Sequence, residues 1–249
     1  MLEQTQPSSR ALPARRALAD DVYDAVLGLL MDRVIEPGAK ASIDGIAREL
    51  AVSPTPVREA LVRLESEGLV TKRSLKGYAA ADLLDAEGMR KLFEMRLLLE
   101  PAAIRLAASN PSDDFLSDLD ALAFAMQSEA ESAHFEDGTF NGYRSFQDHD
   151  ANFHALIAAH SGNELLRDAF LRLRTHMHLF RFYFDQRIAI ETAPEHNSIV
   201  DALRQGDTNG AERAMRSHLE HSFERMRVAL SEPLVKEHVP AGAAHRQTR

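Results

Sequence analysis

The 249-residue chain contains no cysteine. That absence excludes a disulfide scaffold, a Cys-ligated zinc site and a thiol nucleophile. No run of about 18 apolar residues occurs, so the sequence predicts no membrane-spanning helix. The opening residues, MLEQTQPSSRALPARR, lack the apolar core of a secretory signal. A soluble cytoplasmic protein is the expectation. There is also no internal repeat, no low-complexity tract, no Ser elbow, no Gly-rich phosphate loop and no His-Glu-x-x-His run, so common enzyme signatures are unfilled. Net positive charge is lacking too: 29 Lys/Arg against 38 Asp/Glu give −9. At first sight this argues against a nucleic-acid partner.

The distribution of charge answers that objection. Residues 1–80 hold eleven Lys/Arg and eleven Asp/Glu, so residues 81–249 carry the whole −9, with 18 basic against 27 acidic side chains. Within 53–78, five basic side chains face three acidic ones. A local cationic surface is enough to bind phosphates, and an acidic remainder limits non-specific adhesion. A hydrophobic content of 45% supports one large or two ordinary domains, and the charge asymmetry favours two with different tasks.

The segment Ser42 to Tyr78 carries the strongest pattern. Ile43, Ile46, Ala47 and Leu50 recur at helical spacing, a tight turn follows at Ala51 and Val52, and Val57, Leu61 and Leu64 stripe a second helix. Pro54 and Pro56 stand at its start behind Ser53 and Thr55 as candidate N-caps; proline is tolerated there because first-turn N–H groups have no helical partner. Such an N-terminus suits phosphate. Gly68 is placed to stop the helix. Leu69, Val70, the basic Lys72, Arg73 and Lys76, and Gly77 then fit a β-hairpin wing, completing a winged helix-turn-helix. In this segment the chain resembles the GntR family of bacterial transcription regulators, whose signature stands here as Pro56-Val57-Arg58-Glu59-Ala60-Leu61, Arg63-Leu64 and Glu67-Gly68-Leu69-Val70. Val22 to Leu30 fits the family's first helix, with Glu36-Pro37-Gly38 as its stop. The resemblance implies that Ser53, Thr55 and Arg58 face DNA, with Lys76 and Gly77 at the wing tip. Many members have Arg after the serine. This chain has Pro54, so a base-reading guanidinium is missing and the operator is not inherited from an Arg-bearing relative.

The expected organisation is mainly α: a disordered arm over 1–17, a winged helix-turn-helix over 18–80, an all-α bundle over 85–231 and a disordered tail over 232–249. About six bundle helices are expected from the apolar periodicity. They run from Met89 to Ala108 through Pro101, then over 112–132, 139–160, 164–190, 192–205 and 207–230. Gly162-Asn163 and Gln205-Gly206-Asp207 mark boundaries between them.

Histidine is plentiful in this second half. Asp150 and His154 stand at i, i+4 and project from one helix face about 6 Å apart, suited to one ion. Phe146, Phe153 and Ile157 flank them as packing positions, so that face points inward and its polar groups need a partner. His196 and His218 lie downstream. By itself each histidine fits a core or surface role as well as a ligand role. The helical half, however, resembles the FCD ligand domain of the FadR subgroup. The matching segments are Arg96 to Pro101, Asp150 to Leu156 with Gly162-Asn163, Glu195-His196 with Ala202-Leu203 and Gly206-Asp207, and His218-Leu219. That resemblance implies one divalent metal on Asp150, His154, His196 and His218: zinc foremost, or nickel, manganese or iron, among which the donor set does not choose. Arg96 and Glu100, at i, i+4, read either as a plain helix ion pair or, as the resemblance suggests, with Arg96 in a cavity gripping a carboxylate. In 172–184, cations and aromatics concentrate, and one or two cations are expected to line the pocket.

The leading expectation is therefore a homodimeric transcription regulator, a repressor in the commoner family logic and not an enzyme. It would read a pseudo-palindromic double-stranded DNA operator and sense a small carboxylate effector. The alternative is a metal-dependent hydrolase or isomerase on the same Asp and three His, with Glu195 as its base.

Overall fold

The computed structural model describes residues 13–74, 77–131, 140–179 and 186–231. Lys76, 180–184 of the aromatic stretch, and the expected tail beyond Ser231 lie outside these residues. The N-terminal unit comprises α1 (Pro13–Met31), β1 (Lys40–Ala41), α2 (Ile43–Glu49), α3 (Pro54–Ser66), β2 (Val70–Arg73) and β3 (Gly77–Ala80). The helical unit comprises α4 (Ala86–Ala107), α5 (Asp113–Ala130), α6 (Phe140–His160), α7 (Glu164–Leu173), α8 (Thr175–Leu179), α9 (Gln186–Arg204) and α10 (Thr208–Ser231).

In the N-terminal unit, α1 packs along α3, and the strands form an antiparallel sheet in the order β1-β3-β2. Lys72 pairs with Tyr78 and Arg73 with Gly77, the register expected of a wing. The apolar stripe of α3, Val57, Ala60, Leu61 and Leu64, is fully buried. Burial of each leucine there stabilises by about 1.5–3 kcal/mol. Gly68 ends the helix at φ +80°, a left-handed backbone that favours glycine. Ser53 takes the N-cap position but makes no capping bond, and Thr55 stands inside the first turn, so of the two candidate caps only the first has the cap geometry. Tyr23 of α1 donates to Glu67 at 2.5 Å, and the Arg63 guanidinium lies 3.8 Å over the Tyr23 ring. Arg63 therefore serves the α1–α3 seam.

In the helical unit, α4 packs against α10 and α6, α5 against α6 and α9, and α9 against α10. Asp85, Ser112 and Asn163 cap α4, α5 and α7 by accepting from Gly88, Phe115 and Leu166 N–H groups. Pro101 sits within an unbroken α4.

Three expectations need correction. First, α1 begins at Pro13, so the helix takes in the last residues of the expected disordered arm; proline suits a first helical position and the following ARRALA run is strongly helix-forming. Second, the helix expected over 164–190 is broken. Arg174 adopts the left-handed region (φ 48°), ending α7, and α8 starts at once. Third, the break expected near residue 191 is absent, because α9 starts at Gln186 and runs on through Pro194. The bundle thus has seven helices among the described residues.

Among the described residues, two arginines bond from one unit to the other. Arg144 of α6 bonds Asp24 of α1 at 2.7 Å, and Arg174, at the α7–α8 break, donates to the Ser66 carbonyl at the end of α3.

Candidate functional site

Three helices bring the expected ligands together. Asp150 and His154 come from α6, His196 from α9 two residues after Pro194, and His218 from α10. Their donor atoms all lie within 4.8 Å of one another. His196 Nε2 stands 3.3 Å from Asp150 Oδ1 and 3.4 Å from His154 Nε2, and His154 Nε2 stands 3.9 Å from Asp150 Oδ1. The three imidazoles are buried, and Asp150 is 14% exposed. Phe153 and Ile157 pack beneath them as the apolar pattern implied, and the Phe153 ring meets His196 edge-on.

These residues fit a divalent ion. Two donors each about 2.1 Å from one ion are at most about 4.2 Å apart, so the cluster needs only a small closure to share one. Its electrostatics agree. Burial raises the Asp150 pKa, but contact with His196 and the charge of His154 outweigh it and hold the carboxyl below its ordinary range. Burial lowers His196, and lowers His218 to about 3 against the opposing pull of Glu195. A carboxylate held ionised beside two imidazoles, His196 and His218, whose charged forms burial disfavours is an arrangement that a cation repays.

Around the cluster lie two carboxylates whose part in it the sequence did not reveal. Glu100 Oε2 is 2.6 Å from His154 Nδ1, and its other oxygen is 2.6 Å from Arg96 Nε. Glu195 is 2.8 Å from His218 Nδ1, takes both Nη atoms of Arg225 at 2.8 and 2.9 Å, and meets the exposed His221 at 3.1 Å. Burial raises both glutamates. Arg96 and His154 outweigh it at Glu100, and His218 and Arg225 at Glu195, bringing each to about 2.

A small cavity adjoins the cluster, lined by Arg96, Tyr143, Phe146 and Asp150, with Leu179, Ile188 and Thr192, and closed by His218 and Ser222. Arg96 is thus both things the sequence allowed: paired with Glu100, and at the cavity wall. Phe146, Thr192 and Ser222 each stand one helical turn from a member of the donor cluster on the same helix, at i±4 of Asp150, His196 and His218, a spacing that would have found them. Within 172–184, no described cation lines the cavity; Leu179 does, while Arg174 reaches α3.

On the opposite unit, Ser53, Thr55 and Arg58 are exposed along the start of α3, and Gly77 is exposed where the wing returns (φ +81°). Lys72 and Arg73 are exposed on β2.

Sequence-family models match both units: the gntR family of bacterial regulatory proteins over residues 12–79 and the FCD domain over 91–221. An uncharacterised HTH-type transcriptional regulator of Mycobacterium tuberculosis is 32% identical over 142 residues, which cover 56% of this chain and 58% of that protein. The chain thus spans a little over half the length of that relative. The HTH-type transcriptional repressor NanR of Citrobacter rodentium is 30% identical over 66% of this chain and 67% of its own. A solved structure of a GntR-type regulator from Rhodococcus sp. RHA1 superposes with a TM-score of 0.63 at 20% identity, covering 86% of this chain and 99% of that one, and establishes the fold. The chain belongs to the GntR family of bacterial regulatory proteins, in the branch that carries an FCD domain. That family and these relatives are transcription regulators, which sets aside the hydrolase alternative. Glu195, the base that alternative needed, is tied to His218, His221 and Arg225.

Proposed function

We propose that this protein is a ligand-responsive, DNA-binding transcription repressor. In this reading it acts as a cytoplasmic homodimer on a pseudo-palindromic operator, and its helical unit holds one divalent metal ion and a small carboxylate effector. The observation that carries the reading is a shared wall: Asp150 and His218 belong both to the donor cluster and to the cavity that Arg96 lines. A bound divalent ion would supply a point of attachment for the acid's carboxylate. Arg96 offers a planar guanidinium to the same anion, and Thr192 and Ser222 offer hydroxyls suited to a hydroxy acid.

The route to DNA runs along α6. The cavity, about 20 Å³, holds little more than one water, so an acid of several carbons must push its walls apart. Tyr143 and Phe146 are two of those walls, and between them stands Arg144, bonded to Asp24 of the DNA-binding unit. Displacing α6 therefore bears on α1, the differential contact that effector control requires. A homodimer is supported by the exposed Leu98, Phe124 and Leu165, and by the few base contacts one head alone can make.

The test is operator release measured by fluorescence anisotropy with a panel of small carboxylates, in metal-loaded and chelated protein. Release by one acid only in the loaded protein is expected. Equal release after chelation would reject the metal's role, and a monomer by sedimentation at micromolar concentration would reject the dimer.

A further inference from the structure

We infer that Glu100 and Glu195 are positioning residues for the donor cluster, each accepting the Nδ1 proton of one histidine so that the Nε2 lone pairs of His154 and His218 stay available to a cation. The inference rests on the metal reading above. It starts from a repeated pattern: Arg96–Glu100–His154 on one side and Arg225–Glu195–His218 on the other, an arginine holding a carboxylate that holds an imidazole. A neutral imidazole carries one proton, and the hydrogen bond at one nitrogen decides what the other presents. At 2.8 Å from the Glu195 carboxylate, His218 Nδ1 is a hydrogen-bond donor. His154 Nδ1 lies 2.6 Å from Glu100 Oε2 but is not aligned for a hydrogen bond, so its ring must turn slightly to donate there. Nε2 is then an acceptor in His218, and in His154 once that turn is made. Free histidine favours the opposite tautomer, so the carboxylates reverse an intrinsic preference.

The spacing inside the cluster supports this. His154 Nε2 and His196 Nε2 stand 3.4 Å apart and cannot both point a proton at one another. With the His154 proton on Nδ1, the proton at that contact belongs to His196, whose Nε2 also faces Asp150 at 3.3 Å. His196 is the member without a carboxylate behind it, and its Nδ1 is buried with no hydrogen-bond partner among the described residues. The cluster therefore has His218 preset to bind, His154 a small ring rotation from the same state, and His196, whose proton must move from Nε2 to Nδ1 when a cation enters.

The arginines set the strength of this hold. Arg96 and Glu100 are 2% and 3% exposed, so their pairing is little screened, and it fixes which oxygen Glu100 turns to His154. Arg225 grips Glu195 through both Nη atoms, a fork that fixes the carboxylate plane facing His218.

The experiment has two readouts. Zinc affinity, by competition with a chromophoric chelator, is compared in wild type, Glu195→Gln, Glu100→Gln and the exposed Glu94→Gln. Each of the first two variants should bind zinc about 10- to 100-fold more weakly, and Glu94→Gln as wild type does. Ring nitrogen-15 NMR of the metal-free protein reads the tautomers directly: His218 and His154 should be Nδ1–H in wild type, and His218 should shift toward Nε2–H in Glu195→Gln. A merely structural role would leave that signature unchanged. Because Glu100→Gln strands a buried guanidinium and its fold is at risk, the partly exposed Glu195 and the tautomer spectrum decide the matter without it. An Nε2–H wild-type His218, or a folded Glu195→Gln with undiminished zinc affinity, would overturn the inference. If zinc fails to bind wild type while the tautomers stand as stated, the positioning role holds and the metal reading fails.

Discussion

Replacing His196 by alanine separates the metal's contribution from that of packing. The side chain is 0% exposed and its ring meets Phe153 at 4.7 Å. Truncating a buried ring of this size costs about 2–4 kcal/mol through lost contacts and cavity. Against this, Nδ1 is buried without a partner, and removing it recovers about 1–3 kcal/mol of desolvation. The two nearly offset, so His196→Ala should lose only about 1 kcal/mol in metal-free protein. With metal present the comparison changes. At about 100 times its dissociation constant, a ligand that binds only the folded state adds about 2.7 kcal/mol. For a chain of this size each kcal/mol moves the melting temperature by about 2–4 °C, so wild type should rise by about 5–11 °C. His196→Ala, left with one carboxylate and two imidazoles, should rise far less. Scanning calorimetry in chelator and in zinc measures both, with His160→Ala as the control, since His160 is exposed at the far end of α6 and should keep the full rise. A rise in His196→Ala equal to wild type would refute the assignment of the donor set, as would a wild type that no zinc, nickel, manganese or ferrous iron can stabilise.

Arg58→Ala should weaken operator binding by at least about 1 kcal/mol with the fold intact, by anisotropy at fixed salt. Lys72→Ala, exposed on the wing strand, should lower affinity for all sequences alike and reduce the salt slope by about 1. Arg144→Ala should cost at most about 1 kcal/mol of stability, because the pair with Asp24 is 31% and 46% exposed, yet it should blunt the acid's effect on operator affinity; an undiminished effect would exclude α6 as the route. Gly68→Ala should lose more than about 1 kcal/mol in denaturant unfolding, since its φ is +80° and a Cβ would stand 2.7 Å from Arg174 Nη1.

What could be read from the sequence was local. The winged helix was legible because its stop, turn, stripe and wing lie in order between Ser42 and Tyr78, and each is decided by neighbours within a few residues. Asp150 and His154 were legible as a pair for the same reason, and family resemblance supplied His196 and His218. Glu100 and Glu195 were each seen with the wrong partner in view. Glu100 was noticed only beside Arg96, one turn away, because His154 reaches it from another helix. Glu195 stood out for its adjacency to His196, yet in the fold it holds His218, 23 residues on. The break at Arg174 left no local sign either. Arginine has no preference for left-handed backbone, so the conformation there is decided by tertiary contact, and the guanidinium reaches the end of the recognition helix.

The pairing of Arg96 with Glu100 changes what the cavity can attract. Had Arg96 been unpaired, a metal-loaded cavity would face an acid with two net positive charges, one from Arg96 and one from the divalent ion after the Asp150 carboxylate. Glu100 cancels the first, and Arg225 and Glu195 cancel one another. With the three imidazoles neutral, as binding an ion requires, the loaded site carries one net positive charge. On the proposed reading, loading with metal therefore favours a small anion, and the metal would be a condition of sensing. The same count predicts opposite signs for one substitution. Glu100→Gln restores the Arg96 charge to the cavity and should tighten binding of the acid that releases operator, while loosening zinc by weakening the hold on His154. General damage to the fold would weaken both. Titrating acid and zinc separately by calorimetry, with zinc saturating in the first case, decides it. Parallel losses in a variant that melts as wild type does would mean that the charge of Arg96 is not what the acid meets.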